Sequence, residues 1–330
     1  MKKKELMFRT EFEIQGAENK ISTESNVMFF GSCFTENIGS KFKELHLTNI
    51  VNPFGILYNP ASVAKNIRNL INSRLVTADD LVLNNEKWVS YNHHGRFSNI
   101  EKQTCLDNIN SEIGAASLLL KQADTLYITF GTSWVYKLKE DKSIVANCHK
   151  FAASNFIRER LSINEIVNDY SKLIQEIRAI NKDINIVFTV SPIRHWKDGA
   201  NGNQLSKSIL LLAIDEIVKQ NSNCFYFPSY EIVMDDLRDY RFYSSDMFHI
   251  NETAINYIWD KFKDTFFDSS LNNFEKRVVK INAALNHRTD DNTNEKYIDF
   301  INLNIKKSKD LETEFKIDLS DLRKKLEAKL

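Results

Sequence analysis

The chain has 330 residues, beyond the roughly 250–300 at which single cores stop growing, which predicts one main domain with an appendage. Hydrophobic residues make up 42% of it and aromatics 11%, enough for a sizeable core. Lys plus Arg equals Asp plus Glu at 44 each, so the chain lacks the positive field that draws a protein to nucleic acid or an anionic membrane.

The start, Met1-Lys2-Lys3-Lys4-Glu5-Leu6, has the positive charge of an export signal. Arg9, Glu11, Glu13 and Gln15 interrupt the apolar stretch that would have to follow. No window approaches the ~20 apolar residues that span a bilayer. Four cysteines, Cys33, Cys105, Cys148 and Cys224, form no CxxC pair, so neither a zinc ribbon nor a disulfide frame is indicated. The expectation is a cytoplasmic protein with no cofactor, no metal and no nucleic-acid partner.

A polar arm alternating weakly at Phe8, Phe12 and Ile14 leads to the first apolar run, Val27 to Phe30, stopped by Gly31-Ser32. That is the pattern of a short buried strand. Ile38, Phe42 and Leu45 then share one face of a helix beginning near Thr35. Ser32 thus falls between a strand end and a helix N-terminus. Open α/β sheets bind ligands at that edge, and backbone N–H groups there favour negative charge. Ser32 reads as a helix cap or as a nucleophile.

Leu47 to Val51 reads as a second strand closed by the turn Asn52-Pro53-Phe54-Gly55, and a helix follows from Ala61 to about Ser73. Residues 76–110 read as an insertion, with a strand near Trp88-Val89-Ser90-Tyr91 and an irregular His93-His94-Gly95-Arg96. A helix over about Ser111 to Gln122 leads to a third strand, Thr125 to Phe130, ending in Gly131-Thr132-Ser133-Trp134. A hairpin from Val135 to Asn147 opens a second insertion, near 135–160. Ile163, Ile166, Val167, Tyr170, Leu173, Ile174 and Ile177 form a helical stripe. Ile184 to Val190 is a fourth strand, Leu205 to Lys219 an apolar helix, and Cys224 to Phe227 a fifth strand.

Strands alternating with helices predict βαβ units and a parallel sheet covered on both faces. Pro53, Pro192 and Pro228 each fall just after a proposed strand. From about Ser269 the sequence turns charged and helix-favouring, with a polar break at Asp290-Asp291-Asn292-Thr293-Asn294 and a stripe at Leu319, Leu322, Leu326 and Leu330. The expected division is therefore a domain over 1–268 and a helical appendage over 269–330. The appendage packs on the body or on a partner subunit, which leaves an oligomer open.

Chemistry concentrates late, in Tyr243-Ser244-Ser245-Asp246-Met247-Phe248-His249. In a turn, a DxxH spacing lets the carboxylate meet one imidazole nitrogen while the other stays available for proton transfer. A cap and a surface pair would use the same residues. Ser32 follows the first strand and Asp246 and His249 follow the last, so they share one edge of the sheet. That edge can bring nucleophile and base within ~2.6–3.2 Å. Cys33 is a rival nucleophile, but successive residues in a tight turn point apart, and Ser32 is preferred.

Ser32 after the first strand, Gly55 after the second, Gly131-Thr132-Ser133-Trp134 after the third and the late DxxH resemble the SGNH, or GDSL-like, hydrolase superfamily. Gly31-Ser32-Cys33-Phe34-Thr35 is similar to the signature of its GSCFA family, with Thr35 in place of Ala. Asn52-Pro53-Phe54-Gly55, Asn147-Cys148-His149-Lys150, Ser191-Pro192-Ile193-Arg194-His195 and Arg238-Asp239-Tyr240-Arg241-Phe242-Tyr243 fit the same family, over roughly residues 25–265. The resemblance implies a flavodoxin-like, three-layer α/β/α fold around a five-stranded parallel sheet. It implies Ser32 as nucleophile, His249 as general base, Asp246 as its orienter, and backbone N–H groups of Ser32 and Gly55 in an oxyanion hole.

Such enzymes usually add an Asn after the third strand, where this chain has Thr132-Ser133-Trp134. Losing one such donor costs about 2.7–4 kcal/mol. Ser133 or Asn147 is expected to replace it, and a slow or purely binding site is the remaining alternative. His149, His195, Cys148 and His93-His94 match no zinc spacing. Trp134, His149, Arg194 and His195, with Trp196, suit a polar substrate, offering rings to stack on a sugar and cationic groups for an anion. The expected activity is that of a serine esterase or deacylase on an acyl ester, O-acylated carbohydrate included. An O-acyltransferase using the same triad and a binding protein with little turnover are the alternatives.

Overall fold

The computed structural model describes residues 9–287 and 294–330. The Lys-rich start, Phe8 and residues 290–293 of the polar break lie outside the described residues. In chain order the elements are β1 (Val27–Gly31), α1 (Cys33–Glu44), β2 (Asn49–Val51), α2 (Pro60–Ile71), β3 (Val82–Asn84), β4 (Lys87–Val89) and α3 (Lys102–Leu120). Then come β5 (Thr125–Phe130), β6 (Trp134–Leu138), β7 (Ile144–Val145), β8 (Phe156–Arg160), α4 (Ile163–Ile180), β9 (Asn185–Val190), α5 (Gly199–Gln220) and β10 (Cys224–Tyr226). The chain ends in α6 (Ser229–Glu231), α7 (Glu252–Phe266), α8 (Ser269–Leu285), α9 (Glu295–Phe315) and α10 (Ser320–Glu327).

The main sheet has five parallel strands in the order β10-β9-β5-β1-β2. Val27 pairs with Asn49 on one side and with Thr125 on the other. This is the flavodoxin-like order, and the direction of winding reverses between β1 and β5. The ligand crevice of such sheets lies there, outside the carboxyl ends of the strands.

Both faces are buried, as the near-continuous apolar strands require. Met28, Phe30, Leu126, Ile128, Phe130 and Phe188 pack with the apolar sides of α2, α3, α4 and α5. Val27, Phe29, Tyr127 and Val187 face α1 and α7. Phe42 of α1 is central to that second layer, its ring 5.0 Å from Phe29 and 5.5 Å from Trp259. Leu271, Phe274, Leu311, Leu322 and Leu326 of the last three helices join the same apolar cluster. Asp268, at the division expected between residues 268 and 269, caps α8 by accepting from the Leu271 N–H at 2.6 Å.

Several elements extend beyond their periodic signal. α3 starts at Lys102 rather than near Ser111, because Cys105, Leu106 and Ile109 already face the core ahead of that point. α5 starts at Gly199 rather than Leu205, since its first turns bury Asn203, Ser206 and Lys207, which no hydrophobic period reveals. The insertion at 76–110 holds the antiparallel pair β3–β4, and that at 135–160 forms a sheet of order β7-β6-β8, whose third strand the sequence reading lacks. The fourth proline, Pro60, takes the first position of α2 behind the Asn59 cap, where its missing N–H costs nothing.

Candidate active site at the carboxyl edge of the sheet

β1 ends at Gly31 with φ 137°, and a Cβ there would lie 2.1 Å from the Thr129 carbonyl oxygen of β5. Only glycine fits that approach. The next residue, Ser32, opens α1 in extended conformation, and its side chain makes no capping bond. The residue is 1% exposed, and its buried hydroxyl has no hydrogen-bond partner among the described residues. A serine kept only as a cap would spend its hydroxyl on an N–H of the first turn.

β2 leaves the sheet at Asn52, which is fully buried with φ 48°. Its amide donates to the Phe29 carbonyl at 2.8 Å, and its side-chain Oδ1 accepts the Gly31 N–H at 2.8 Å. The carboxamide thus takes the ladder position that the departing strand vacates. The Asn52 carbonyl accepts from the Gly55 N–H at 2.7 Å and from Arg96 Nη2 at 2.6 Å. The Gly55 N–H therefore closes a turn. Gly55 itself has φ 77°, with His94 Cβ 2.1 Å from where a Cβ would sit.

At the end of β5 the N–H groups of Gly131 and Thr132 both donate to the Tyr58 carbonyl, at 2.8 and 2.9 Å. Ser133 is buried, and both its N–H and its hydroxyl meet Ser206 Oγ, at 2.8 and 3.1 Å. One residue on, the fully buried Lys207 donates to the carbonyls of Gly131 and Ser191, each at 2.6 Å. Burial pushes its ammonium pKa down to about 7.

The turn from Ser244 to His249 is closed by the Ser244 N–H on the His249 carbonyl at 2.7 Å. Asp246 Oδ1 accepts the N–H groups of Phe248 and His249, both at 2.9 Å, and Oδ2 lies 2.6 Å from His249 Nδ1. Those two backbone donors, and then the imidazole, hold the Asp246 carboxyl down at about 2. The His249 side chain is 54% exposed and makes no bond to Ser32. Phe248 rests on Trp196, ring centres 5.4 Å apart.

His195 links this turn to the sheet. Its ring meets Tyr58 edge-on at 5.2 Å, and its Nε2 would lie 3.0 Å from a Cβ on Gly131. Burial pushes its pKa to about 3, and smaller contributions from Lys207, Arg158 and His249 push the same way. These groups therefore gather at one edge. Arg194, Trp196, Arg238, Tyr240, Tyr243 and Phe248 line an adjoining cavity of about 410 Å³.

The remaining candidates lie elsewhere around the two insertions. Asn147 Oδ1 accepts the His149 N–H at 2.8 Å, and the His149 ring meets the Ser90 carbonyl at 2.7 Å. Trp134 is covered by the Arg158 guanidinium, 4.8 Å from its ring centre. His93 bonds Ser90 Oγ at 2.8 Å and is pushed by burial to about 3. Among the described residues no group of three or more His, Cys, Asp or Glu is placed to hold a metal. Cys33 is largely buried, which raises its thiol pKa and disfavours the thiolate that attack requires. Asn52 is the residue the motif reading passed over, its only signal being its place before Pro53-Phe54-Gly55.

The fold and this edge define a flavodoxin-like α/β protein with a serine at the switch point and an Asp–His pair on the same rim. The chain belongs to the GSCFA family, whose model matches residues 26–262. No curated protein matches it. Among solved structures it is similar to a family 3 carbohydrate esterase of Clostridium thermocellum, with 8% identity and a TM-score of 0.35, covering 76% of this chain and 98% of that one. A family two carbohydrate esterase of the same organism, in complex with cellohexaose, has 10% identity and a TM-score of 0.37 over 73% of this chain and 63% of that one. A carbohydrate esterase family 3 protein from Talaromyces cellulolyticus gives 10% and 0.35, over 76% and 98%. No helix among the described residues is long and apolar enough to cross a membrane.

Proposed function

We propose that the protein is a serine esterase acting on an acyl ester of a polar alcohol, with O-acylated carbohydrate as the substrate class. The observation that carries this reading is the Asp246–His249 pair at 2.6 Å, its carboxylate pinned by two backbone N–H groups, on the same sheet edge as a buried Ser32 hydroxyl with no partner among the described residues. With Nδ1 held by Asp246, His249 Nε2 is the nitrogen left to take a proton.

In the reaction Ser32 Oγ adds to the ester carbonyl carbon as its proton passes to His249 Nε2. The carbonyl π pair moves onto oxygen. Collapse of that tetrahedral species breaks the bond to the alcohol, which leaves with the proton from His249. Water, deprotonated by His249, then frees the acyl group and restores Ser32. Asp246 holds the ring and stabilises the imidazolium in both halves. Such nucleophile–base bonds are often long without substrate and tighten in the reacting complex. The cavity beside Phe248 suits the alcohol, with Trp196, Tyr240 and Tyr243 for ring stacking and Arg194 and Arg238 for polar groups.

The test is p-nitrophenyl acetate hydrolysis by wild type, Ser32→Ala and His249→Ala. Each substitution is expected to cut kcat by at least about 1,000-fold. Equal rates in all three proteins would remove the esterase reading.

A further inference from the structure

We propose that the side-chain amide of Asn52 is an oxyanion donor of this site beside the Ser32 N–H, in the role for which the end of β5 offers no asparagine. The inference rests on the esterase reading and names a residue at the end of a different strand. Asn52 Oδ1 accepts the N–H of Gly31, the residue before Ser32, at 2.8 Å. That bond identifies which end of the carboxamide is oxygen and brings the carboxamide to the N–H of the residue that precedes Ser32. Asn52 is 0% exposed and its Nδ2 has no partner among the described residues.

Buried polar groups are almost always bonded, and an orphaned donor carries its full desolvation cost. Here two groups lack a partner among the described residues, Ser32 Oγ and the Nδ2 of Asn52, whose own Oδ1 is bonded to the N–H of the residue before Ser32. A substrate carbonyl attacked by Ser32 supplies what the pair lacks, since its carbon meets the hydroxyl and its oxygen meets the amide. The donor is also preorganised, as an oxyanion site requires. The Asn52 backbone is held by the Phe29 carbonyl, the Gly55 N–H and the Arg96 guanidinium.

The other candidates are already committed. The Gly55 N–H serves the Asn52 carbonyl and the Ser133 hydroxyl serves Ser206, while Asn147 is placed against the insertions, its N–H on the Tyr91 carbonyl and its Oδ1 on the His149 N–H. A carboxamide is needed at position 52 because one end must accept from Gly31 while the other donates. Asparagine also tolerates the left-handed backbone found there.

The experiment compares wild type, Asn52→Asp and Ser32→Ala on p-nitrophenyl acetate, with melting temperatures measured in parallel. Asn52→Asp keeps the acceptor for Gly31 and removes the donor. We expect kcat to fall about 100- to 1,000-fold with KM changed by only a few-fold, because the donor acts on charge that develops in the transition state. A merely structural role would move the melting temperature and leave that split absent. A folded Asn52→Asp enzyme with kcat near wild type overturns the assignment. If Ser32→Ala also keeps full activity, the esterase reading itself falls; if Ser32→Ala is inactive, only the role of Asn52 falls. Should Asn52→Asp not fold, a crystal structure of wild type with a phosphonate on Ser32 decides. A phosphonyl oxygen within ~3.2 Å of Asn52 Nδ2 supports the proposal, and one bonded only elsewhere overturns it.

Discussion

Lys207 carries its ammonium into the protein with two carbonyl oxygens and, among the described residues, no carboxylate for partners. Its folded pKa of about 7 lies below the usual 10.5, chiefly because burial penalises the charge. The unfolded chain therefore holds the proton over a range where the folded protein has released it. Stability from this group rises with pH between those two values, and below about 7 the penalty is at its full, constant size. Urea unfolding of wild type and Lys207→Met should show wild type gaining on the variant between about pH 7 and pH 9, by up to about 1.4 kcal/mol per pH unit. Parallel pH dependences would refute the assignment. In sequence Lys207 is an ordinary helix lysine, since burial of one ammonium leaves no periodic trace. Ser32 is legible because a strand, a glycine and a helix start meet within a few residues. Asn52 is not, because its carboxamide matters only through the Gly31 N–H, 21 residues away in sequence.

The turn carrying Asp246 and His249 is an exposed element steadied from outside by Phe248 on Trp196. An aromatic pair of this kind contributes about 0.5–1.5 kcal/mol. Phe248→Ala should therefore lower ester hydrolysis about 3- to 10-fold. The melting temperature should barely move, since the turn is exposed and outside the apolar core. A rate equal to wild type would show that the stacking does not position the base. The DxxH spacing made this turn visible because its main interactions are local. The stacking partner Trp196 enters from the loop that follows β9, and that contact has no signature at either site. The start of α5 was hidden for a related reason. Its first turns face the site with Asn203, Ser206 and Lys207, so polarity marks the inward side there.

Across the whole molecule, the last three helices share a core with the sheet. Phe274, Leu311, Leu322 and Leu326 cluster with Phe29 and Phe42. Asn282 of α8 donates to the Glu44 carbonyl at the end of α1 at 2.6 Å, and Lys263 of α7 pairs with Glu275 of α8 at 2.9 Å. Each buried large apolar side chain contributes about 1.5–3 kcal/mol, and a whole domain is stable by only about 5–15 kcal/mol. Deleting residues 269–330 should therefore leave a protein that aggregates or binds 1-anilinonaphthalene-8-sulfonate, with no cooperative melt. A truncated chain melting as sharply as the full one would show the layers to be independent.

The sequence by itself determined the alternation of strands and helices, the glycine at the close approach of β1 to β5, and the two local motifs at Ser32 and Asp246–His249. Each is written within a few neighbouring residues, where periodicity, chain breakers and short hydrogen-bonded turns act. Only the tertiary structure decided that β1 lies between β2 and β5. It alone set the buried Lys207 ammonium on the Gly131 and Ser191 carbonyls and left the Asn52 amide without a partner among the described residues. Strand neighbours are chosen by pairing between distant segments, so what meets at the crevice is a property of the assembled sheet.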